Sequence, residues 1–418
     1  MRVSDPLEVD RDVPAAVAVC LGRTLERRVE EATAMDPVFA ADVADRVARF
    51  TLEGGRRLRA QFLWWAMRGC GGGARETPRA LGVAAALELI QTCALVHDDV
   101  MDGSPLRRGR PALHVAVDAR YGTGGRPLPC GTFGTAAAVL AGDLALAWAD
   151  DAFAESVRGA PAERRAAGVW RVMRAEMVAG QYLDLRGQVT SAASERRALR
   201  TAVLKTALYT VGHPLALGAV LAGAPEPTVV ALRAAGRSAG LAFQLRDDIR
   251  GAFGDPARTG KPVGEDVREG KATFLLTVAR DLCARRGDRA GLRLLDGVTG
   301  GRAVRAGDVE RVLDLLVACG ARDEVARRVE ELCVRGAEAV AAAGLSPRAA
   351  GLIGRLMREA CGLDAAARAA AEPGHGGHTA GRQERADAVA ADPAPPSPAR
   401  RTPDGTTTPD TVLIGETR

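Results

Sequence analysis

The chain has 418 residues, of which 47% are apolar and only 4% are aromatic, and its formal net charge is +5. Ala and Leu are abundant while β-branched runs are short, and this mixture favours helices because both residues lose little entropy in a helix. The small net charge, with Arg spread among acidic residues, is typical of solvated helix faces and argues against nucleic-acid binding.

The cysteine pattern and the N-terminus bear on cellular location. Eight cysteines are scattered, and none forms a Cys-x-x-Cys pair, so neither a zinc site nor a redox motif is indicated. Residues 1–14 carry charges and no apolar core, unlike a signal peptide. The most apolar stretch, residues 80–96, contains Glu88 and Gln91 and is interpreted as too short to span a bilayer. We therefore expect a cytoplasmic protein with reduced thiols that is not integral to a membrane.

Three zones follow one another along the chain. Residues 1–12 form an N-terminal extension, residues 13–371 alternate apolar-periodic segments with short Gly and Pro breaks, and residues 372–418 are rich in Pro, Thr, Gly, Asp and Arg. This pattern predicts one helical domain followed by a disordered tail, because the tail cannot bury enough apolar surface to order itself. His375 and His378 in the tail are interpreted as a chance pair rather than a metal site.

Apolar periodicity predicts the helices in chain order. They cover residues 80–101, 135–154, 164–185, 194–221, 229–249, 272–285, 306–317, 321–343 and 347–370. The stretch 122–134 is rich in Gly and Pro and predicts a loop. Since no strand pattern of comparable strength competes, the predicted fold class is all-α.

The first of these helices ends in an acidic cluster. Asp98, Asp99 and Asp102 follow an apolar run, and on a helix Asp98 and Asp102 lie one turn apart on the same face. Two such carboxylates repel each other and are costly to desolvate, and a hard divalent cation relieves both penalties. Mg²⁺ prefers one or two carboxylates plus substrate phosphates. The alternative, an acidic and solvated helix end, fits the preceding apolar run less well.

A second acidic pair, Asp247 and Asp248, ends the predicted helix at residues 229–249. One pair is a weak signal, but two clusters predict two walls of one cavity, with several metal ions and a diphosphate between them. The basic residues placed around both clusters are Arg56, Arg57, Arg59, Arg107, Arg108, Lys205, Lys261 and Lys271. Because Arg binds phosphate oxygens in a bidentate way, the set predicts two diphosphates, one bound to metal and one held by arginine.

Taken together, these motifs resemble the polyprenyl synthetase family, the trans-isoprenyl diphosphate synthases, and within it the geranylgeranyl diphosphate synthases. Their order and spacing match over nearly the whole predicted domain. The matching text is Gly54-Gly55-Arg56-Arg57-Leu58-Arg59, Leu95 through Asp102 with Arg107-Arg108-Gly109 and His114, Gly180-Gln181-Tyr182-Leu183-Asp184, Lys205-Thr206, Phe243-Gln244 through Asp247-Asp248, and Gly260-Lys261.

The resemblance implies a fold and a reaction. The expected fold is a single-domain helical bundle around a deep central cavity, and the expected assembly is a homodimer. The expected reaction is the head-to-tail (1′-4) condensation of isopentenyl diphosphate with an allylic diphosphate, which gives a linear trans-polyprenyl diphosphate. The expected cofactor is Mg²⁺, with three ions per active site.

The resemblance also assigns residues to roles. Asp98, Asp102 and Asp247 are the implied metal ligands, supported in catalysis by Asp99 and Asp248. The implied substrate-binding residues are Arg107, Lys205 and Lys261 for the allylic diphosphate, Arg56, Arg59, Gln91 and Arg108 for isopentenyl diphosphate, and Gln181, Asp184, Thr206 and Gln244 around the reacting centre, with Lys271 as a further point charge.

Two positions depart from the family pattern. Many relatives have a third Asp in the second motif, where this chain has Gly251, and the sequence leaves open whether Asp255 replaces that carboxylate. Arg56 stands where many relatives have Lys, which keeps the charge but changes its geometry. Activity is still expected, because Asp247 is the implied direct ligand.

Cys93 and Ala94 lie about one turn before Asp98, where the resemblance places the tail of the growing product. Both are small, whereas a bulky aromatic residue there would stop growth early. Geranylgeranyl diphosphate (C20) is therefore the predicted product, with farnesyl diphosphate and longer chains left open. The alternative is that both residues only pack against neighbouring helices, and that a bulky residue deeper in the cavity limits the length of the product.

Two other functions compete with this prediction. A class I terpene cyclase also uses an Asp-rich helix with Mg²⁺, but it would carry an Asn, Ser and Glu motif where this chain has Asp247 and Asp248. The second is a catalytically weak regulatory subunit of a prenyl synthase, and Gly251 is its main support. The products formed from isopentenyl diphosphate and an allylic primer separate the three.

Overall fold

The structure, a computed structural model, describes residues 5–122, 128, 131–190, 194–255, 263–299 and 304–363. The helices within these ranges belong to one compact unit. Lys261, His375, His378 and the tail expected at residues 372–418 lie outside the described residues. The predicted zone boundaries at residues 13 and 372 stay predictions.

The N-terminal half leads to a long apolar helix and its neighbour. In chain order it contains α1 (Pro6–Arg11), α2 (Val13–Met35), α3 (Pro37–Phe39), a π-helical turn (Ala40–Ala44), α4 (Asp45–Leu52), α5 (Leu58–Gly69), α6 (Thr77–Asp102), the strands β1 (Leu106–Arg107) and β2 (Arg110–Pro111), α7 (Leu113–Tyr121) and α8 (Phe133–Val157).

The C-terminal half adds a second set of long helices. It contains α9 (Glu163–Val189), α10 (Glu195–Ala202), a π-helical segment (Val203–Gly212), α11 (His213–Leu221), α12 (Glu226–Phe253), α13 (Glu265–Arg268), α14 (Phe274–Arg286), α15 (Arg289–Val298), α16 (Ala306–Ala318), α17 (Ala321–Ala342) and α18 (Pro347–Ala360).

The predicted all-α class is confirmed, and most predicted helices lie within a few residues of their observed bounds. The helix predicted at 194–221 is three consecutive pieces, α10, the π-helical segment and α11, because apolar periodicity does not distinguish a π-helical stretch from a regular one. The short hairpin of β1 and β2, with Leu106 opposite Pro111, was not predicted. Within the expected N-terminal extension, α1 buries Val9 completely, and its Asp10 accepts a hydrogen bond from Trp64 Nε1 at 2.9 Å.

Helix α6 runs through the centre of the bundle. All side chains at residues 83–90 are buried, which is the pattern of a helix surrounded by protein. Helix α6 packs against α5 and α8, and α12 packs against α17 and the π-helical segment Val203–Gly212. These two helices carry the two acidic clusters, so their packing partners determine what surrounds the carboxylates.

Two helices are long and apolar enough, by length and composition alone, to cross a bilayer. They are α6, with 26 residues, and α8, with 25 residues. The interpretation that the stretch around residues 80–96 is too short was therefore wrong, because the helix continues for several residues at both ends. In α6 72% of the most apolar window is buried inside the protein, against 44% in α8. Burial of α6 identifies it as a core helix, while part of α8 faces outward.

Candidate active site

The first acidic cluster occupies the last turn and a half of α6. Gly103 ends the helix directly after Asp102 with a left-handed φ of 63°, a conformation that glycine adopts without a Cβ penalty. The hairpin of β1 and β2 then returns Arg107 to the helix end, where Arg107 Nε donates to Asp99 Oδ1 at 2.8 Å. The Asp99 side chain is only 2% exposed, so it positions Arg107 rather than facing the cavity.

Asp98 faces the cavity and is surrounded by cations. Its Oδ1 accepts hydrogen bonds from Lys205 Nζ and Gln181 Nε2, both at 3.0 Å, and Arg107 Nη2 lies 3.5 Å from its Oδ2. Burial would raise the pKa of Asp98, but Lys205, Lys271 and Arg107 outweigh it and hold the pKa below its usual value. Asp98 is therefore an ionised carboxylate inside the protein.

Asp102 lies one turn beyond Asp98 and is covered by other side chains. Lys271 Nζ donates to its Oδ2 at 2.7 Å, and Gln188 Nε2 lies 3.5 Å from its Oδ1. Lys271 lines the cavity and also pairs with Glu269 at 2.6 Å. Asp102 is not among the residues that line the cavity, and the Lys271 ammonium group lies between it and the cavity, so its role as a metal ligand stays a prediction.

Lys205 and Thr206 come from the π-helical segment Val203–Gly212, and such irregular turns often occur at functional sites. Gly180 of α9 permits the contact, because a Cβ there would lie 2.5 Å from Lys205 Cα. Asp184, one turn after Gly180, accepts a hydrogen bond from Lys205 Nζ at 2.6 Å. Burial lowers the pKa of Lys205, but Asp98 and Asp184 outweigh this effect and raise it, so the ammonium remains charged.

The second acidic pair divides into an exposed and a buried carboxyl. Asp247 is exposed and lines the cavity. Asp248 is buried and accepts hydrogen bonds from Gln244 Nε2 at 2.8 Å and from the backbone N–H of Phe274, at the start of α14, at 3.2 Å. Burial, followed by the nearby Asp266, raises the pKa of Asp248 well above its usual range. Both residues line the cavity, but Asp247 is the exposed carboxylate of the pair, and Asp248 anchors α14.

The residues expected to bind isopentenyl diphosphate meet along one part of the wall. Arg56, Arg59 and Gln91 all line the cavity. Arg59 Nη2 donates to Thr210 Oγ1 at 3.1 Å, and its guanidinium lies 4.3 Å from the ring centre of Tyr209. The buried Gln91 Oε1 has no hydrogen-bond partner among the described residues. A diphosphate placed here would meet two cations held by neighbouring side chains.

Arg108 does not join this group. It has a left-handed φ of 55°, and its Nη1 donates to the carbonyls of Phe50 at 3.4 Å and Glu53 at 3.2 Å. It is not among the residues that line the cavity, so its assignment to the isopentenyl diphosphate pocket stays a prediction. The sequence could not show which of Arg107 and Arg108 faces the cavity, because the turn between the two strands determines the direction of each side chain.

One large cavity joins these groups. Its volume is about 2400 Å³, well above the usual range for small-molecule pockets, and it contains Asp98, Asp247 and Lys205 in its wall. Thr206, Gln181, Asp184, Gln244 and Arg107 line it as well, as the sequence predicted. Cys93 and Ala94 line the same cavity, and Leu146 of α8 and Met177 of α9 also belong to its wall. The polar and apolar halves of the expected site therefore share one space.

A buried ion pair that no sequence motif indicated joins the start of α5 to α6. Arg57 Nη1 and Glu88 Oε2 lie 2.7 Å apart, with the side chains 4% and 9% exposed. Arg57 adopts a left-handed φ of 52° directly before α5, which directs it away from Arg56 and toward α6. No spacing rule predicts this pair, although a lone Glu within a continuous apolar run was a usable sign that Glu88 needed a buried partner.

The carboxylates fit a magnesium site completed by substrate. Among the described residues, no group of three or more His, Cys, Asp or Glu side chains forms a preformed metal cage. Mg²⁺ commonly takes one or two carboxylates plus substrate phosphates. Lys205 and Lys271 form ion pairs with Asp98 and Asp102, so each carboxylate has a cation as its neighbour in this structure.

Comparisons with known proteins agree with this geometry. A family model described as polyprenyl synthetase matches residues 42–314. A geranylgeranyl diphosphate synthase of Mycobacterium tuberculosis is 34% identical over 312 residues, which are 73% of this chain and 81% of that protein. A geranylfarnesyl diphosphate synthase of Aeropyrum pernix is 32% identical over 292 residues, 68% of this chain and 84% of that protein.

A solved structure shares the fold. It is the geranylgeranyl pyrophosphate synthase of Corynebacterium glutamicum, complexed with isoprenyl diphosphate and magnesium. The TM-score is 0.77 at 33% identity, and the match covers 84% of this chain and 98% of that one. With its two acidic helices facing one cavity, the chain belongs to the polyprenyl synthetase family of trans-prenyltransferases.

Proposed function

We propose that this enzyme condenses isopentenyl diphosphate with an allylic diphosphate in a magnesium-dependent, head-to-tail reaction and releases a linear polyprenyl diphosphate. One observation carries the proposal: Asp98, Asp247, Lys205 and Arg107 line the same cavity as Arg56 and Arg59. The first set suits one diphosphate and the second set suits another. The cavity of about 2400 Å³ that joins the two sets has room for two diphosphate substrates.

The protein contributes charge and position to the first step. Lys205 and Arg107 donate hydrogen bonds to carboxylates now, and their N–H groups stabilise negative charge that develops on a diphosphate leaving group. Asp98, Asp102 and Asp247 are the residues that would hold magnesium ions, and such ions would supply further positive charge to that group. The allylic C–O bond then ionises, and the carbon end becomes an allylic cation.

The second step depends on orientation. Arg56 and Arg59 hold isopentenyl diphosphate so that its double bond lies against the allylic cation, and Gln91 completes the polar wall. The double bond attacks the cation, a carbon–carbon bond forms, and a proton leaves to the released diphosphate. The aliphatic and aromatic side chains of the wall exclude water, which would otherwise trap the cation.

We propose geranylgeranyl diphosphate as the main product. Cys93 and Ala94 leave space in the cavity wall one turn before Asp98. The geranylgeranyl diphosphate synthase of Mycobacterium tuberculosis and the geranylfarnesyl diphosphate synthase of Aeropyrum pernix are named for products beyond C15, which supports a long cavity here.

The test is a product analysis with three primers. Purified enzyme is incubated with isopentenyl diphosphate, Mg²⁺ and a C5, C10 or C15 allylic diphosphate, and the dephosphorylated products are separated by chromatography. A linear C20 alcohol from each primer, lost when EDTA is added, is the expected result. A cyclic hydrocarbon would instead identify a terpene cyclase, and an absence of any elongated product would identify a regulatory subunit.

We further propose a cytoplasmic homodimer. Large apolar side chains are exposed along α8, including Val139 at 41% and Leu140 at 61%, and neither lines the cavity. Large apolar side chains exposed next to one another on a helix suit a protein–protein contact. The seven described cysteines are free thiols, which suits a reducing compartment.

A further inference from the structure

Three arginines lie together at one edge of the cavity, apart from the cations assigned above to the substrates. Arg246 and Arg250 belong to α12, and Arg322 lies in the first turn of α17. All three line the cavity, and because Arg322 is exposed, this edge is open to solvent. We call these three residues the arginine cluster.

The side chains of Arg246 and Arg250 reach the same point. The two residues are one turn apart and share a face of α12, which is rotated by about 100° from the position of Asp247. A Cβ built on Gly362, just after the end of α18, would lie 2.8 Å from Arg250 Nη2 and 3.3 Å from Arg246 Nε. The two guanidinium groups are therefore close neighbours beside the end of α18.

Arg322 adds the third cation from α17. Its guanidinium lies 4.8 Å from the ring centre of Phe253, which follows Arg250 by three residues on α12. A cation–π contact of this kind attracts the arginine to α12 and leaves its positive charge in place. Burial, followed by the charges of Arg250 and Arg322, lowers the pKa of Arg246, so the three groups lie within electrostatic reach of one another.

No carboxylate of the described residues is paired with the arginine cluster. Asp323 follows Arg322 in the chain and lines the same cavity, but it forms no ion pair with any of the three arginines. The buried Nε of Arg246 has no hydrogen-bond partner among the described residues. Like charges that are brought together, partly out of water, cost free energy unless an anion balances them.

A diphosphate group has the chemistry that this cluster requires. Each guanidinium group offers paired N–H donors in a planar fork, which match the oxygens of a phosphate group in a bidentate way. Several guanidinium groups at one point suit an anion that carries more than one charge. The cluster also lies in the wall of the cavity to which we have assigned two diphosphate substrates.

We infer that the arginine cluster is an additional anion site, which binds a diphosphate group at the edge of the cavity and is separate from Arg56 with Arg59 and from Lys205 with Arg107. The ligand is free diphosphate or the head group of an isoprenoid diphosphate, since both present the same oxygens. A wall with one sign of charge raises the local concentration of ligands of the opposite charge. The inference concerns binding alone and does not require the condensation reaction.

The test is a calorimetric titration of the full-length protein with inorganic diphosphate and, separately, with isopentenyl diphosphate. EDTA is present, so that no metal ion contributes. The wild type is compared with R250Q/R322Q, which removes two charges of the cluster, and with R56Q, which removes a cation of another set. The matched control is R237Q/R335Q, because it removes one exposed arginine from each of the same two helices, and neither residue lines the cavity.

We expect R250Q/R322Q to weaken the binding of inorganic diphosphate at least about tenfold, because each lost guanidinium group removes charge-assisted hydrogen bonds. R56Q and the control should keep this binding. A larger loss of affinity for isopentenyl diphosphate would assign the site to the head group of an isoprenoid, and a larger loss for inorganic diphosphate would assign it to the free anion. Circular dichroism checks folding, and if the double variant does not fold, R322Q at its exposed position decides alone.

The inference is overturned if R250Q/R322Q binds both ligands like the wild type, if the control loses as much affinity, or if R56Q by itself abolishes the binding of inorganic diphosphate. Failure of the proposed function is a separate result. A protein that binds diphosphate through the arginine cluster but elongates no primer would contradict the reaction and leave this site intact.

Discussion

At the scale of single residues, the site depends on the different environments of similar carboxylates. Asp98 and Asp248 both line the cavity, but the pKa of Asp98 is lowered, whereas Asp248 is buried and its pKa is raised. Both follow apolar runs in the sequence. The difference arises because Asp98 faces Lys205 and Arg107, while Asp248 receives an amide, a backbone N–H and the nearby negative charge of Asp266.

Asp98→Ala should lower turnover about 10²- to 10³-fold, because it removes a carboxylate assigned to the metal and the partner of Lys205. Helix content should not change, since Lys205 keeps Asp184 as a partner. Steady-state kinetics and circular dichroism measure the two effects. The exposed Asp281→Ala variant serves as control, and a near-normal rate for Asp98→Ala would refute the role given to this residue.

Ala94→Phe should shorten the main product by at least one isoprene unit, because an aromatic ring would fill the cavity wall one turn before Asp98. Chromatography of the dephosphorylated products measures this directly. Val317→Phe, at an exposed position of α16, is the matched control. An unchanged product profile would mean that another residue limits product length, and Leu146 and Met177 would be the next positions to substitute.

At the scale of secondary-structure elements, irregular features position the catalytic side chains. Gly180 brings α9 against the π-helical segment that carries Lys205, and Gly103 ends α6 directly after Asp102. The hairpin of β1 and β2 then returns Arg107 to Asp99. Regular helices supply the frame, and these interruptions direct the charged groups into one cavity.

Glu88→Gln should lower the free energy of unfolding by about 3–5 kcal/mol, since it leaves the buried Arg57 without its charged partner. Chemical denaturation measures the change. The exposed pair of Glu8 and Arg11 provides the comparison, and Glu8→Gln should cost less than about 1 kcal/mol. Equal effects for the two variants would mean that the buried pair does not hold α5 to α6.

At the scale of the whole molecule, one helical bundle leaves part of α8 uncovered. Only 44% of the apolar window of α8 is buried, compared with 72% for α6. Phe133, Val139 and Leu140 of α8 are 48%, 41% and 61% exposed. This surface is the reason for proposing that two chains associate.

Leu140→Glu should convert the proposed dimer to a monomer, because it places a charge in the apolar contact. Light scattering coupled to size-exclusion chromatography gives the mass of the wild type and the variant. Val317→Glu, exposed on the distant α16, should leave the mass unchanged. A monomeric wild type would contradict the proposed assembly.

The amino-acid sequence by itself predicted the all-α class, the two acidic clusters and a set of charged and polar residues that the cavity brings together. The fold class and the positions of these acidic residues on helices could be predicted because helical periodicity is local. It places Asp98 and Asp102 one turn apart and puts Asp247 near the end of an apolar helix whatever the rest of the chain does. The ordered motifs around them added the reaction and the family.

Only the tertiary structure decided which of these residues line the same cavity and which way the pKa of each carboxyl group is shifted. Arg57 forms an ion pair with Glu88, Asp248 accepts a hydrogen bond from the start of α14, and the side chain of Asp266 packs against Gly251. Each contact joins residues that are well separated along the chain and belong to different elements. Helix packing determines such contacts, and packing leaves no periodic signal in the sequence.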